Sequence, residues 1–295
     1  MKIQKISING KPQSVDTAVI SATNRGVMYG FGAFESFRVS AGKVFLLDEH
    51  LDRLKKGLDI LGIEWDDNRQ KYCQWVAEVC GDIPQDNDAF VRFTVLGGEG
   101  KMGISGEILR DPTIIIYVGY IPKFIPIAKR AIVLAKVRCQ LPDYFALTNF
   151  RIKTPDYTSA RIANKEMAEW EARDQSGATT KLDGIMLTPD GYVAEALTSN
   201  VFWVKDGQLF TPPLSTGILS GTMRSHIMDG NKTQEVLAKP EELEIADEVI
   251  LTSGASFLNP LEEINGIKKP GPDGEVYKKI YQQLLRDIDG LAVTI

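Results

Sequence analysis

Over residues 1–47 hydrophobic and polar positions alternate in short runs, the period of strands. The stretch "ISINGKPQ" carries Asn9-Gly10, the turn pair of a tight hairpin, and "FESFRVSAGKVFLL" holds two β-rich runs around Ser40-Ala41-Gly42. The period then lengthens. Leu51, Leu54, Leu58 and Leu61 recur at helical spacing behind Asp48, the expected N-cap, and Gly62 ends the segment. A second helix is expected over about residues 68–80, followed by strands "AFVRFTVLG" and "PTIIIYVGY".

The prolines of "IPKFIPIAK" break the strand pattern, so this stretch reads as a linker. The expected division is an N-terminal α+β domain over 1–121, a linker over 122–128 and a C-terminal domain over 129–295. The second half opens with strand "RAIVLAKV" and continues with a helix from about Ser159 to Asp174. Strands "DGIMLTP" and "GYVAEAL" flank a Pro-Asp-Gly turn, a hairpin turns at Asp206-Gly207, and "SGTMRSHIMD" starts a helix. "DEVILTS" reads as a buried strand and residues 274–288 as the last helix; no internal repeat or low-complexity tract is visible. Mostly antiparallel strands with segregated helices give an α+β fold. No G-x-G-x-x-G follows a strand into a helix, no Walker loop is present, and the glycine-rich "YGFGAFE" precedes a strand.

Composition narrows the chemistry. With 43% hydrophobic and 25% charged residues the chain reads as an ordinary globular protein, and a formal charge of -5 offers no broad cationic surface for nucleic acid or anionic lipid. Apolar runs stop well short of the ~20 residues a membrane span needs, and "MKIQKISINGK" has no signal-peptide core, so a cytoplasmic protein with no membrane partner is expected. Cys73, Cys80 and Cys139 form no C-x-x-C pair, and neither His50 nor His226 has a Cys or second His at ligand spacing, so no metal site is expected. No G-x-S-x-G turn marks a serine hydrolase. Chemistry then falls to lysine, a carboxylate or a small-molecule cofactor.

Four separated pieces are candidates for one site, each with a plain alternative. In "NFRIKTPDYTSARIANK", Lys153 is either one more solvated cation or an amine able to form a Schiff base with an aldehyde cofactor. Glu195 ends the run Tyr192-Val193-Ala194 in "GYVAEALTSNVFWV", either facing solvent or buried as the partner of a pyridine nitrogen. The turns "STGILSGTMRS" and "TSGASFLNP" are either ordinary helix caps and loops or nests of amides for an anion. Arg53, on the flank of the leucine face, is either solvated or a phosphate ligand.

The order and spacing of these pieces, from "SATNRGVMYGFGAFESFRV" to "LTSGASFLNPLEEI", resemble the class IV, fold type IV pyridoxal-phosphate enzymes. These include D-amino acid aminotransferases, branched-chain aminotransferases and aminodeoxychorismate lyases. The most specific part is Glu195, then Asn200-Val201-Phe202, then "LFTPPLSTGILSGTMR". The resemblance implies a two-domain α+β fold with mostly antiparallel strands in the larger C-terminal domain. It implies pyridoxal 5'-phosphate as cofactor and Lys153 as the catalytic residue, which forms the internal Schiff base and moves the substrate proton. Tyr157 would stand near the phenolic oxygen and Glu195 at the pyridine nitrogen. Arg53 with Ser220, Gly221, Thr222, Gly254 and Ala255 would hold the phosphate.

On the substrate side the resemblance points to Phe34, Lys101 and Leu197. Phe31, Asp156 and Leu197 depart from the common family pattern. Ser36 after "FE", where branched-chain enzymes usually have glycine, weakens that assignment, and "VLGGEGKMG" resembles a loop of the D-amino acid enzymes and the lyases. The expectation is therefore amino transfer between an amino acid, D-amino acids leading, and a 2-oxo acid, in a homodimer with its site at the interface. The alternatives are a pyruvate-releasing aminodeoxychorismate lyase, a branched-chain aminotransferase and a cofactor-free binding protein of the same fold.

Overall fold

A computed structural model of the chain describes residues 1–175 and 177–295. Its elements begin with β1 (Lys5–Ile8), β2 (Lys11–Gln13), α1 (Arg25–Tyr29), β3 (Gly32–Ser40), β4 (Lys43–Val44), α2 (Leu47–Ile60), α3 (Arg69–Cys80), β5 (Asn87–Leu96) and β6 (Thr113–Pro122). They continue with β7 (Lys129–Arg138), α4 (Phe145–Thr148), α5 (Thr158–Glu171), β8 (Leu182–Leu187), β9 (Val193–Ala196), β10 (Asn200–Lys205), β11 (Gln208–Thr211) and α6 (Thr222–Gly230). The last are β12 (Thr233–Glu235), α7 (Pro240–Glu244), β13 (Glu248–Ser253), β14 (Phe257–Ile264), β15 (Ile267–Lys268), α8 (Glu275–Leu291) and β16 (Val293–Thr294). One compact unit comprises Met1–Ile125, Ile152–Asp156 and Ile288–Ile295, and the other Pro126–Arg151 with Tyr157–Asp287.

The first unit holds an antiparallel sheet in the order β16-β4-β3-β5-β6-β1-β2. Helix α2 packs on β3, burying Leu51, Leu54 and Leu58 as their spacing requires. Asp48 lies in the first turn of α2, with Leu46 at the N-cap in the left-handed region (φ 57°). The Asp48 carboxylate is engaged elsewhere, accepting from Arg69 Nη1 at 2.6 Å. Helix α3 packs on β1 and β6, and its Tyr72 stacks on Trp65 with ring centroids 4.2 Å apart.

In the second unit nine strands run β12-β11-β10-β13-β14-β7-β8-β9, with β15 beside β14. Most pairs are antiparallel, but β7 lies parallel to both β8 and β14, and β11 parallel to β12. Side chains alternate over the first half of β7: Ala131 and Val133 join one apolar cluster, Ile132 and Leu134 another, and after the register shift beyond Val133 the second cluster takes Val137. Helix α5 covers the second cluster with Ala163 and Met167. Between Val193 and Ala196, β9 carries one more residue than the facing stretch of β8. Such a bulge re-aims side chains, and Glu195 lies within it. No helix among the described residues is long and apolar enough to cross a membrane.

Candidate functional site

Lys153 belongs to the first unit, where the segment 152–156 is anchored by its neighbours. Ile152 is buried, its Cγ2 only 3.0 Å from where a Cβ on Gly57 of α2 would stand. The Lys153 carbonyl accepts from the Phe34 amide at 3.0 Å, so the backbone is pinned beside β3. The Lys153 Nζ lies 5.1 Å from the centroid of the buried Phe34 ring, and the Arg92 guanidinium carbon lies 3.8 Å from the same centroid. Lys153 is thus half-buried, with a second cation sharing its aromatic neighbour. Lys101 is exposed in the loop joining β5 to β6.

Arg53 is not solvated. Its Nε and Nη2 donate to the two oxygens of Glu35 at 2.7 and 2.6 Å, and its side chain is 8% exposed. Glu35, wholly buried in β3, also pairs with His50 Nδ1 at 2.7 Å. Burial raises the Glu35 carboxyl, but the Arg53 and His50 interactions outweigh it and hold the group far below the usual carboxylate range. Burial lowers the His50 imidazole, Glu35 opposes this, and the charges of Arg53 and Lys153 add to the lowering. A neutral ring facing an acceptor-only carboxylate carries its proton on Nδ1.

In the second unit Glu195 is buried, as are all four residues of β9. Its Oε1 accepts from Arg151 Nη1 at 2.7 Å, and its Oε2 from the Leu219 amide at 3.0 Å and Asn200 Nδ2 at 3.5 Å. Asn200 Nδ2 also donates to the Leu219 carbonyl at 2.9 Å, which ties the loop before α6 to the start of β10. This loop allows no side chain at Gly221, where a Cβ would stand 2.0 Å from Asn200 Oδ1. Gly221 is the N-cap of α6, so Ser220, Gly221 and Thr222 surround the positive end of a nine-residue helix.

Helix α6 packs on β13, and Asn200 of β10 faces Thr252 of β13 across the sheet. The next residues form the second turn: Ser253 and Ser256 hydroxyls lie 2.8 Å apart, and the Ser256 amide donates to Ser253 Oγ at 3.2 Å. Phe257 closes it with φ 52°, strained for a bulky residue. Thr252 Oγ1 is buried without a hydrogen-bond partner. The unit therefore gathers a buried carboxylate, a helix N-terminus, the Gly254-Ala255 turn and an unsatisfied hydroxyl. Leu197 is half-buried against the Ile132 cluster, and Tyr157 is 40% exposed at the N-cap of α5.

Several participants escaped the sequence reading. Arg151 is 44 residues from its partner Glu195. Glu35 did carry a signal, an acid inside an apolar strand, and His50 and Arg53 stand three apart on one helical face. Arg92, inside "AFVRFTVLG", bears no local mark of the Phe34 ring it lies over.

The family model of amino-transferase class IV matches residues 32–264. The chain is 30% identical over 302 residues to an aminodeoxychorismate lyase of Bacillus subtilis, covering 97% of this chain and 98% of the relative. It is 26% identical over 269 residues to a D-alanine aminotransferase of Bacillus licheniformis, 89% of each chain. Among solved structures, the branched-chain amino acid aminotransferase from Escherichia coli superposes with a TM-score of 0.78 at 25% identity, covering 96% of this chain and 94% of that one. With a match over that much of its length, the chain belongs to the class IV amino-transferases, enzymes that work with pyridoxal 5'-phosphate.

Proposed function

We propose that the protein transfers the amino group of an amino acid, D-amino acids being the leading donors, to a 2-oxo acid. The observation that carries this reading is the buried Glu195 carboxylate, held by Arg151 and an amide at the end of a sheet flanked by two turns fit for an anion. The donor set suits the cofactor: a carboxylate for a pyridine nitrogen, a helix N-terminus and the Gly254-Ala255 turn for a phosphate, and the unsatisfied Thr252 hydroxyl among them. When bound, pyridoxal 5'-phosphate supplies an electron-accepting ring that makes the substrate's α-proton acidic.

In this reading Lys153 Nζ would be the amine that holds the cofactor and the base that moves the proton at the substrate's α-carbon. Glu195 would be the carboxylate for the ring nitrogen. Arg53, with Ser220, Gly221, Thr222, Gly254 and Ala255, binds the phosphate, and its grip on Glu35 sets the guanidinium beforehand. Tyr157 would serve the phenolic oxygen. Arg92, beside Phe34 and Lys153, has the chemistry to receive the substrate carboxylate and joins Lys101 in that role; Phe34 and Leu197 shape the pocket. The protein acts as a cytoplasmic homodimer, and exposed Val27, Met102, Ile104 and Ile108 give the first unit apolar surface for a second copy.

A second reading, pyruvate release from aminodeoxychorismate, is favoured by the near-complete coverage of the Bacillus subtilis lyase. Half-reactions separate the two. With the cofactor-loaded protein, D-alanine or D-glutamate is expected to remove the near-visible absorption band, while L-leucine leaves it. Pyruvate formed from aminodeoxychorismate with no 2-oxo acid present would overturn the transferase reading.

A further inference from the structure

Arg151 is a partly buried cation, its side chain 31% exposed, and its one part above is to hold Glu195. One nitrogen, Nη1, reaches three acceptors: Glu195 Oε1 at 2.7 Å, Cys139 Sγ at 3.3 Å and the Gly217 oxygen. Gly217 has φ 85°, and a Cβ there would lie 2.8 Å from the Gln140 carbonyl carbon and the Leu141 amide nitrogen. Arg151 therefore ties the Glu195 carboxylate to the Gly217 loop, which packs closely on Gln140 and Leu141. The opposite oxygen of Glu195 is fixed by Leu219 and Asn200.

We infer that Arg151 is a positioning residue that sets how strongly Glu195 attracts the proton of the cofactor's ring nitrogen. The inference rests on the reading that Glu195 faces that nitrogen. A carboxylate paired with a guanidinium at 2.7 Å stays ionised but becomes a weaker base, so the proton resides on the ring and not on Glu195. Cys139 is the further titratable group facing the pair among the described residues, its Sγ 4.0 Å from Glu195 Oε1. Burial first and the Glu195 charge second push that thiol up to about 12, so it remains a neutral donor through the working range. Burial works against the Arg151 cation, and the Glu195 charge with its other partners more than restores it.

Removing the guanidinium makes Glu195 more basic, so that it withdraws the ring proton and the ring becomes less electron-poor. That raises the pH at which the near-visible band of the loaded protein converts to its shorter-wavelength form. In Arg151→Gln the midpoint is expected to rise by about one pH unit or more, the range a neighbouring charge commands. Arg151→Lys, which keeps the charge, is expected to return at least half of that shift, a rescue that a merely structural role would not give.

The titration is read by absorbance on cofactor-loaded wild type, R151Q, R151K and E195Q, with folding checked by circular dichroism. An R151Q midpoint equal to wild type, or an R151K midpoint displaced as far as that of R151Q, overturns the inference. If R151Q does not fold, Arg151→Met takes its place, and an Arg151→Met midpoint equal to that of wild type, or no higher than that of R151K, overturns the inference. Failure of the underlying reading looks different, because an unshifted E195Q midpoint would mean that Glu195 does not face the ring nitrogen at all.

Discussion

Replacing Lys153 by alanine is expected to lower turnover by roughly four orders of magnitude, because one amine serves both as covalent anchor and as proton carrier. The fold should hardly register the change. Lys153 is tied to the first unit through its backbone carbonyl, which accepts from the Phe34 amide and survives the substitution. Its contact with the Phe34 ring is that of a half-buried cation, worth about 1–2 kcal/mol. Turnover assayed beside a thermal melt checks both halves. A variant that keeps a tenth of wild-type turnover would remove Lys153 from the mechanism, and one that melts far below wild type would make it a structural lysine.

The Glu35→Ala variant is expected to lose about 3–5 kcal/mol of stability, the largest fold effect in the candidate site. The carboxylate is fully buried and holds two nitrogens of Arg53, so its removal leaves a guanidinium charge that is 8% exposed without that carboxylate. Urea unfolding at neutral pH measures the loss. A change under about 1 kcal/mol would show that Arg53 is not held by Glu35. The effect also depends on pH. The folded Glu35 carboxyl lies far below the unfolded value of about 4.3, so its contribution is present above that value and disappears as pH falls through the acid range. His50, lowered from about 6.5, acts in the same sense, because the unfolded chain takes up a proton that the buried ring refuses. The gap between wild type and Glu35→Ala should therefore narrow below about pH 4.3, where Glu35 takes up its proton in the unfolded chain; His50 is present in both proteins and does not close it.

Local signals in the sequence were strong where a short stretch decides its own conformation. Asn9-Gly10 and Asp206-Gly207 both turn hairpins with positive φ at each residue, because those pairs tolerate the left-handed region. The leucines of α2 face the core, and the strand that contains Glu195 exists as expected. Pairing between distant segments was less visible. Nothing near "RAIVLAKV" says that β7 lies parallel to both β8 and β14, since a parallel pair needs a long crossover that leaves no local mark. The site divides in the same way. Glu195 stands out as an acid among small apolar residues, whereas Arg151, which pairs with it, lies 44 residues away and bears no local mark of the partnership. Asp48 has the side chain of an N-cap, but the helix starts one residue before it, behind a left-handed Leu46, and the Asp48 carboxylate accepts from Arg69 instead.

The most direct test of the central claim is chemical capture. Pyridoxal 5'-phosphate is added to the purified protein, borohydride fixes it to whichever amine it has joined, and the digested protein is mapped by mass. The account predicts one phosphopyridoxyl adduct per chain, on the peptide containing Lys153. An adduct on another lysine, or protein that emerges unlabelled, would contradict it.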